Sequence, residues 1–262
     1  MGSVGHRTVE CDGLHGRVYL SPGPGSGTGP ERPVFVLVHG IGVSHRYLAR
    51  LHARLARSGP VCSIDLPGFG ANPKPRRQLS VADFAAFIAK ALQASGIASC
   101  IFVGHSMGVQ FGLELARTHP GLVSRLVLMG PVVDMFRRQV VRQALALGLD
   151  MLREPPSANF AVISDYVRCG PRWYLTELPV MMAYETEERI LHIPVPVLII
   201  RGSRDPVADR RWCRLLAERA ANGRLLEIAG QGHVVQHGAA AQVAQAILEF
   251  SDEGTGVLGQ RR

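Results

Sequence analysis

Short apolar runs punctuate this chain at regular intervals. Val34 to Val38, Val61 to Ile64, Cys100 to Val103, Leu126 to Met129 and Val195 to Ile200 are each too brief for a helix and rich in branched side chains. Continuous apolar runs of this length suit strands buried on both faces. The stretches between them follow a helical period. Ser80 is placed to cap a helix with Asp83 three residues on, Phe84, Phe87, Ile88 and Leu92 form its apolar stripe, and Gly96 ends it. Strands alternating with helices predict βαβ units and a parallel sheet covered on both faces, with ligands bound at the carboxyl ends of the strands. Arg17 to Leu20 reads as an early strand, and Pro22 to Pro33, rich in Gly, Pro and Ser, as a loop.

The alternation fails once. From Asp134 to Leu191 no strand run is visible. Helix-like stretches over 137–152 and 159–168 are broken by Glu154-Pro155-Pro156 and Gly170-Pro171. The segment is rich in bulky side chains, among them Trp173, Tyr174, Met181, Met182 and Tyr184. This pattern predicts a helical insertion (134–191) into a core domain made of 1–133 and 192–250, with 251–262 as a frayed tail.

Candidate chemistry lies at the ends of the strand runs. Gly104-His105-Ser106-Met107-Gly108 follows Cys100 to Val103 directly and opens a helical pattern that stops at Pro120. A G-x-S-x-G sequence between strand and helix forces a sharp turn that lifts the serine hydroxyl above the sheet. Side chains at Gly104 and Gly108 would collide with the neighbouring strand or helix. Ser106 is therefore the predicted nucleophile. Acyl transfer also needs preorganised N–H donors for an oxyanion. The spacing assigns one to Met107 and the other to Ile41, in His39-Gly40-Ile41-Gly42 after the first buried strand, with His39 bracing that loop.

A serine nucleophile needs a base, and the base an orienting carboxylate. His233 lies in Gly230-Gln231-Gly232-His233, after the apolar stretch Leu225 to Ile228 and before a helix carrying Val243, Ile247 and Phe250. Its rival His237 reads as a helix cap. Asp205, in Gly202-Ser203-Arg204-Asp205-Pro206, is the first choice for the carboxylate, Asp134 the second, and Asp209 reads as a helix cap.

Composition narrows the picture. The net charge is +8, nearly all of its cationic side from arginine, but the arginines are scattered, which argues for a solvated surface and against a nucleic-acid partner. The five cysteines are widely spaced and contain no CxxC pair, so neither a disulfide framework nor a zinc site is indicated and a reducing, cytoplasmic setting fits. Residues 1–13 are polar, and no run of eighteen apolar residues occurs, so neither a signal peptide nor a membrane span is expected.

Taken together, the His39-Gly40 loop, Asp65-Leu66-Pro67-Gly68-Phe69-Gly70, the Gly104 to Gly108 turn, Gly202 to Asp205 and Gly232-His233 resemble the α/β-hydrolase superfamily in order and over nearly the whole chain. The resemblance implies a mostly parallel eight-stranded sheet, helices on both faces and a helical lid inserted after the sixth strand. It implies a serine hydrolase acting on a small apolar ester, lactone or thioester, with no cofactor or metal. Ser106 excludes the members that use an aspartate nucleophile. Carbon–carbon bond hydrolysis, perhydrolase or haloperoxidase chemistry, and a non-catalytic ligand receptor on the same fold all remain open. Trp173, Met181 and Met182 are the expected substrate-contacting residues of the lid. Oligomeric state is not indicated.

Overall fold

The computed structural model describes residues 5–24, 33–139 and 156–253. Eight strands form one sheet in the order β1-β2-β4-β3-β5-β6-β7-β8. The strands are β1 (Gly5–Cys11), β2 (Leu14–Ser21), β3 (Val34–Val38), β4 (Val61–Asp65), β5 (Cys100–His105), β6 (Val123–Met129), β7 (Val197–Gly202) and β8 (Gly223–Ile228). From β4 through β8 every pairing is parallel; β2 runs antiparallel to both β1 and β4.

Each apolar run becomes a strand because it is buried on both faces. Along β3, Val36 and Val38 enter one hydrophobic cluster while Phe35 and Leu37 enter the other, the two-residue alternation of a strand. The first cluster lies under the helices Val81–Ala94, Gly108–Thr118 and Arg210–Arg219, which contribute Phe84, Phe111 and Trp212. The second lies under Ala49–Leu55 and Ala240–Asp252, which contribute Leu51 and Ile247. Ser80 and Asp83 form the capping box at the start of Val81–Ala94, and Gly96 leaves it at φ +71°. Cys62, Cys100, Cys169 and Cys213 are buried and unbridged.

Several boundaries differ from the expectation. The polar N-terminus, for which the sequence pattern indicated no element, contains an edge strand: Gly5–Cys11 is joined to β2 through Asp12 (φ 51°) and Gly13 (φ 73°). Its outer residues stay exposed, so the apolar run that marks a buried strand is missing, but an Asp-Gly pair is the usual two-residue hairpin turn. β7 starts at Val197 rather than at Val195. Ala240–Asp252 reaches two residues into the stretch read as tail. Between β6 and β7, Met135–Arg137 is a 3₁₀ turn. Pro156–Cys169 and Pro171–Ala183 are helices separated only by Gly170, and Thr186–Arg189 is a short third helix. Most of the helix expected over 137–152 falls outside the described residues. No helix among the described residues is long and apolar enough to cross a membrane.

Candidate active site

Five adjacent parallel strands deliver the predicted site residues to one edge. β3 ends in His39 to Gly42, β5 in Ser106, β6 in Gly130, β7 in the loop holding Asp205, and β8 in the loop holding His233. Ser106 adopts φ 58°, a left-handed conformation that non-glycine residues rarely hold. Its N–H donates to Met129 O (2.9 Å) and its C=O accepts from Val109 N–H (3.1 Å), so the turn is gripped from the next strand and from the helix Gly108–Thr118. The flanking glycines are needed at the backbone level. A Cβ at Gly104 would run into Gly108 O, and one at Gly108 would lie 2.5 Å from Val38 O. The collision expected at these two glycines is thus located: Gly104 against the helix, Gly108 against β3.

Gly40 faces the serine, where a Cβ would sit 2.8 Å from Ser106 Cβ and 3.1 Å from its Oγ. His39 braces this loop. Its Nε2 accepts from Leu66 N–H (3.1 Å), so its Nδ1 carries the proton and donates to Gly40 O (2.7 Å). Burial holds the imidazole neutral by pushing its pKa down. Ile41 and Met107, which flank this approach, are both buried, and among the described residues neither of their N–H groups donates to a backbone carbonyl.

His233 Nδ1 donates to Asp205 Oδ2 at 2.9 Å, with both residues buried. Asp205 Oδ1 accepts from Val207 N–H (2.8 Å) and Ala208 N–H (3.0 Å). Burial alone would raise its pKa, but the attraction of His233 and these hydrogen bonds outweigh it and hold the carboxyl below the ordinary range. Behind the imidazole lies Gly130, where a Cβ would fall 2.9 Å from His233 Cε1. The two rivals are placed elsewhere. Asp134 caps the 3₁₀ turn through Phe136 N–H (2.9 Å), and Asp209 caps Arg210–Arg219 as expected. His237 does not cap the last helix. It sits in the short helix Val235–Gly238, and its Nε2 pairs with Ser157 Oγ (3.1 Å) at the start of Pro156–Cys169.

One network escaped the sequence. Gly40 N–H donates to Tyr47 Oη (3.0 Å), Tyr47 O–H to His105 Nδ1 (2.7 Å), and His105 Nε2–H to His233 O (2.9 Å). Burial pushes the His105 pKa down to about 3, which keeps the ring neutral, and its one proton sits on Nε2 because His233 O can only accept. The chain links the loop facing Ser106 to the loop carrying His233. The only signal for it in the sequence was a histidine beside the serine; Tyr47 carried none.

The helices between β6 and β7 cover this edge. Asp165 accepts from Ser44 Oγ (2.6 Å) and Arg46 Nη1 (3.1 Å). Tyr166 and Tyr174 close over Gly42, where a Cβ would lie 2.5 Å from the Tyr166 ring and 3.0 Å from that of Tyr174. Trp173 closes over Gly68 and meets Phe69 edge-on at 6.3 Å. Met181 is buried and its C=O accepts from Gln110 Nε2 (2.9 Å); Met182 packs partly buried against the same core. The contacts of Trp173 and Met181 are thus with Gly68, Phe69 and Gln110, while the tyrosines lie over Gly42, the chain neighbour of Ile41.

Comparison with known proteins agrees with this architecture. The α/β-hydrolase family model matches residues 35–246. The chain belongs to the α/β-hydrolase family. It is 37% identical over 242 residues to the "Putative carbamate hydrolase RutD" of Klebsiella pneumoniae subsp. pneumoniae, covering 83% of this chain and 89% of that protein. It is 27% identical to the pimeloyl-[acyl-carrier protein] methyl ester esterase of Neisseria meningitidis serogroup B, covering 83% and 92%. The enol-lactonase of Burkholderia xenovorans LB400 superposes with a TM-score of 0.80 at 22% identity over 94% of this chain and 100% of that one, a likeness of fold.

Proposed function

We propose that this α/β hydrolase is a serine hydrolase that cleaves an ester, lactone or thioester of a small apolar substrate through an acyl-enzyme on Ser106. The observation that carries this reading is Ser106 held at φ 58° on the edge where His233 is paired to a buried Asp205. Strain of this kind persists only where the surroundings over-determine it, and here it lifts the hydroxyl clear of the sheet. The relatives support the bond class, since the names "Putative carbamate hydrolase RutD" and pimeloyl-[acyl-carrier protein] methyl ester esterase both denote cleavage at an acyl carbon bearing a heteroatom.

In this mechanism Ser106 Oγ attacks the carbonyl carbon while His233 Nε2 takes its proton. Asp205 fixes the tautomer with Nδ1 protonated and stabilises the imidazolium. The N–H groups of Ile41 and Met107 receive the negative charge that develops on the carbonyl oxygen. His233 then protonates the leaving alcohol or thiol. A water, deprotonated by the same histidine, releases the acid and frees Ser106. The helices between β6 and β7 act as the lid, and their side chains set acyl preference.

Labelling with a fluorophosphonate, followed by turnover of p-nitrophenyl esters of increasing chain length, tests the reading. Wild type should label at one site and turn over. Ser106→Ala should fold, lose the label and lose kcat by on the order of 10⁴-fold or more. Stoichiometric labelling of the alanine variant would assign the nucleophile to another serine.

A further inference from the structure

A cleft opens between the helix Ala49–Leu55 and the start of Ala240–Asp252. It has a volume of about 620 Å³ and is lined by Arg50, Ala53, Arg54, Arg57, Gln231, His237 and residues 238–242. No acidic residue lines it. Arg50 and Arg54 project from Ala49–Leu55 one turn apart, and Arg57 follows one turn later. All three are exposed, and Arg54 and Arg57 carry no ion pair to an acidic group among the described residues. Arg50 is oriented by His237 O and Ser157 Oγ, each at 3.3 Å.

The opposite wall is the start of Ala240–Asp252. Ala239 precedes it with no side chain to cap it, so the first-turn N–H groups and the positive end of a thirteen-residue helix face the arginines. Beside this terminus His237 is buried and turns its backbone C=O, not its ring, to Arg50. An uncapped helix end and three guanidinium groups are suited to an anion, and planar guanidinium forks match phosphate oxygens best.

We propose that this cleft binds a polyphosphate group, free or esterified to an organic moiety. Two features favour more than a single phosphate. Three guanidinium groups and a helix N-terminus line the cleft together, more donors than a single phosphate can engage. The volume also falls within the range of small-molecule sites. None of Ser106, Asp205 and His233 lines the cleft, although Gln231 belongs to the loop that carries His233.

Titration calorimetry at low ionic strength, with pyrophosphate, ADP and inorganic phosphate as probes, tests the proposal on the full chain. Pyrophosphate should bind at one site per chain, at least tenfold tighter than inorganic phosphate, and weaken as salt is added. ADP binding as tightly as pyrophosphate would identify an organic phosphate ester as the ligand; weaker ADP binding would identify free polyphosphate. The double variant Arg54→Glu/Arg57→Glu changes two exposed side chains and should keep its circular dichroism and ester turnover while losing pyrophosphate affinity tenfold or more. Undiminished binding by that folded variant would overturn the site, as would binding abolished by prior fluorophosphonate labelling or the absence of saturation. A short oligonucleotide bound tighter than pyrophosphate through the same arginines would overturn the polyphosphate assignment in favour of nucleic acid.

Discussion

The turn around Ser106 and the helices between β6 and β7 meet at one edge of the sheet but are built on opposite logic. Around Ser106 the constraint is backbone on backbone. Gly104 lies against Gly108 O, and Gly108 against Val38 O and His39 O. No side-chain rearrangement relieves such contacts, so residue types and spacing are dictated. In the covering helices the close contacts are side chain on glycine, with Trp173 over Gly68 and Tyr166 and Tyr174 over Gly42. Rings can shift, and several large residues there remain exposed, including Phe160, Val167 and Leu175. A region constrained by backbone tolerates little change; one constrained by ring packing can diverge and retune a pocket.

The largest effect that would sharpen this contrast is expected at Asp205. Asp205→Asn keeps the shape but favours the wrong imidazole tautomer, and kcat should fall roughly 10⁴-fold. Asp134→Asn, which alters the cap on Phe136 N–H away from His233, should change kcat far less. Steady-state kinetics of the two variants decides the matter, and the reverse ranking would move the carboxylate to Asp134.

Next comes the network that joins the two loops. Tyr47→Phe leaves Gly40 N–H and His105 Nδ1 without their shared partner, at about 1–3 kcal/mol for each buried group. Because Gly40 faces Ser106 and His105 holds the His233 carbonyl, kcat should drop on the order of tenfold or more while KM stays within about twofold. An unchanged kcat in the folded variant, with only a lower Tm, would reduce Tyr47 to a packing role.

The covering helices should answer differently. Trp173→Ala should change kcat/KM unevenly along an acyl-length series, with ratios between substrates moving by about tenfold, since one methylene-sized contact is worth roughly 1–3 kcal/mol. An equal drop for every substrate, with a lower Tm, would mean that Trp173 only packs the helices onto Gly68 and Phe69.

The smallest effect concerns stability. Glu177 is fully buried in Pro171–Ala183, and its Oε1 accepts from Leu79 N–H (3.2 Å). Burial pushes its pKa up to about 7. Between about pH 4.5 and 7 the folded protein therefore binds more protons than the unfolded chain. The contribution of this group is complete below pH 4.5 and is lost as pH rises through 7, at about 1.4 kcal/mol per pH unit. Glu177→Gln keeps the acceptor without the charge. Its Tm should exceed that of wild type at pH 8 and match it at pH 5; equal values at both would show that Glu177 does not titrate in the fold.

Five buried strands, the capping box at Ser80 and the turn at Ser106 were legible in the sequence because each rests on neighbours in the chain: a run of branched side chains, a serine three residues from a carboxylate, two glycines around a serine. The hairpin at Asp12-Gly13 was also written locally, but β1 lies at an exposed edge and lacks the apolar run that announces a buried strand. The Tyr47–His105 network has no local trace, because its members stand 58 residues apart and meet only when β3 and β5 pair. The roofing of Gly42 by tyrosines and the arginine-lined cleft depend in the same way on distant elements. Sequence by itself determined the sheet's parallel core and the residues at its carboxyl edge, since strand burial and a strained turn are properties of short segments. Tertiary structure alone decided which loops are tied together and which rings cover the site, because those contacts exist only once distant elements pack.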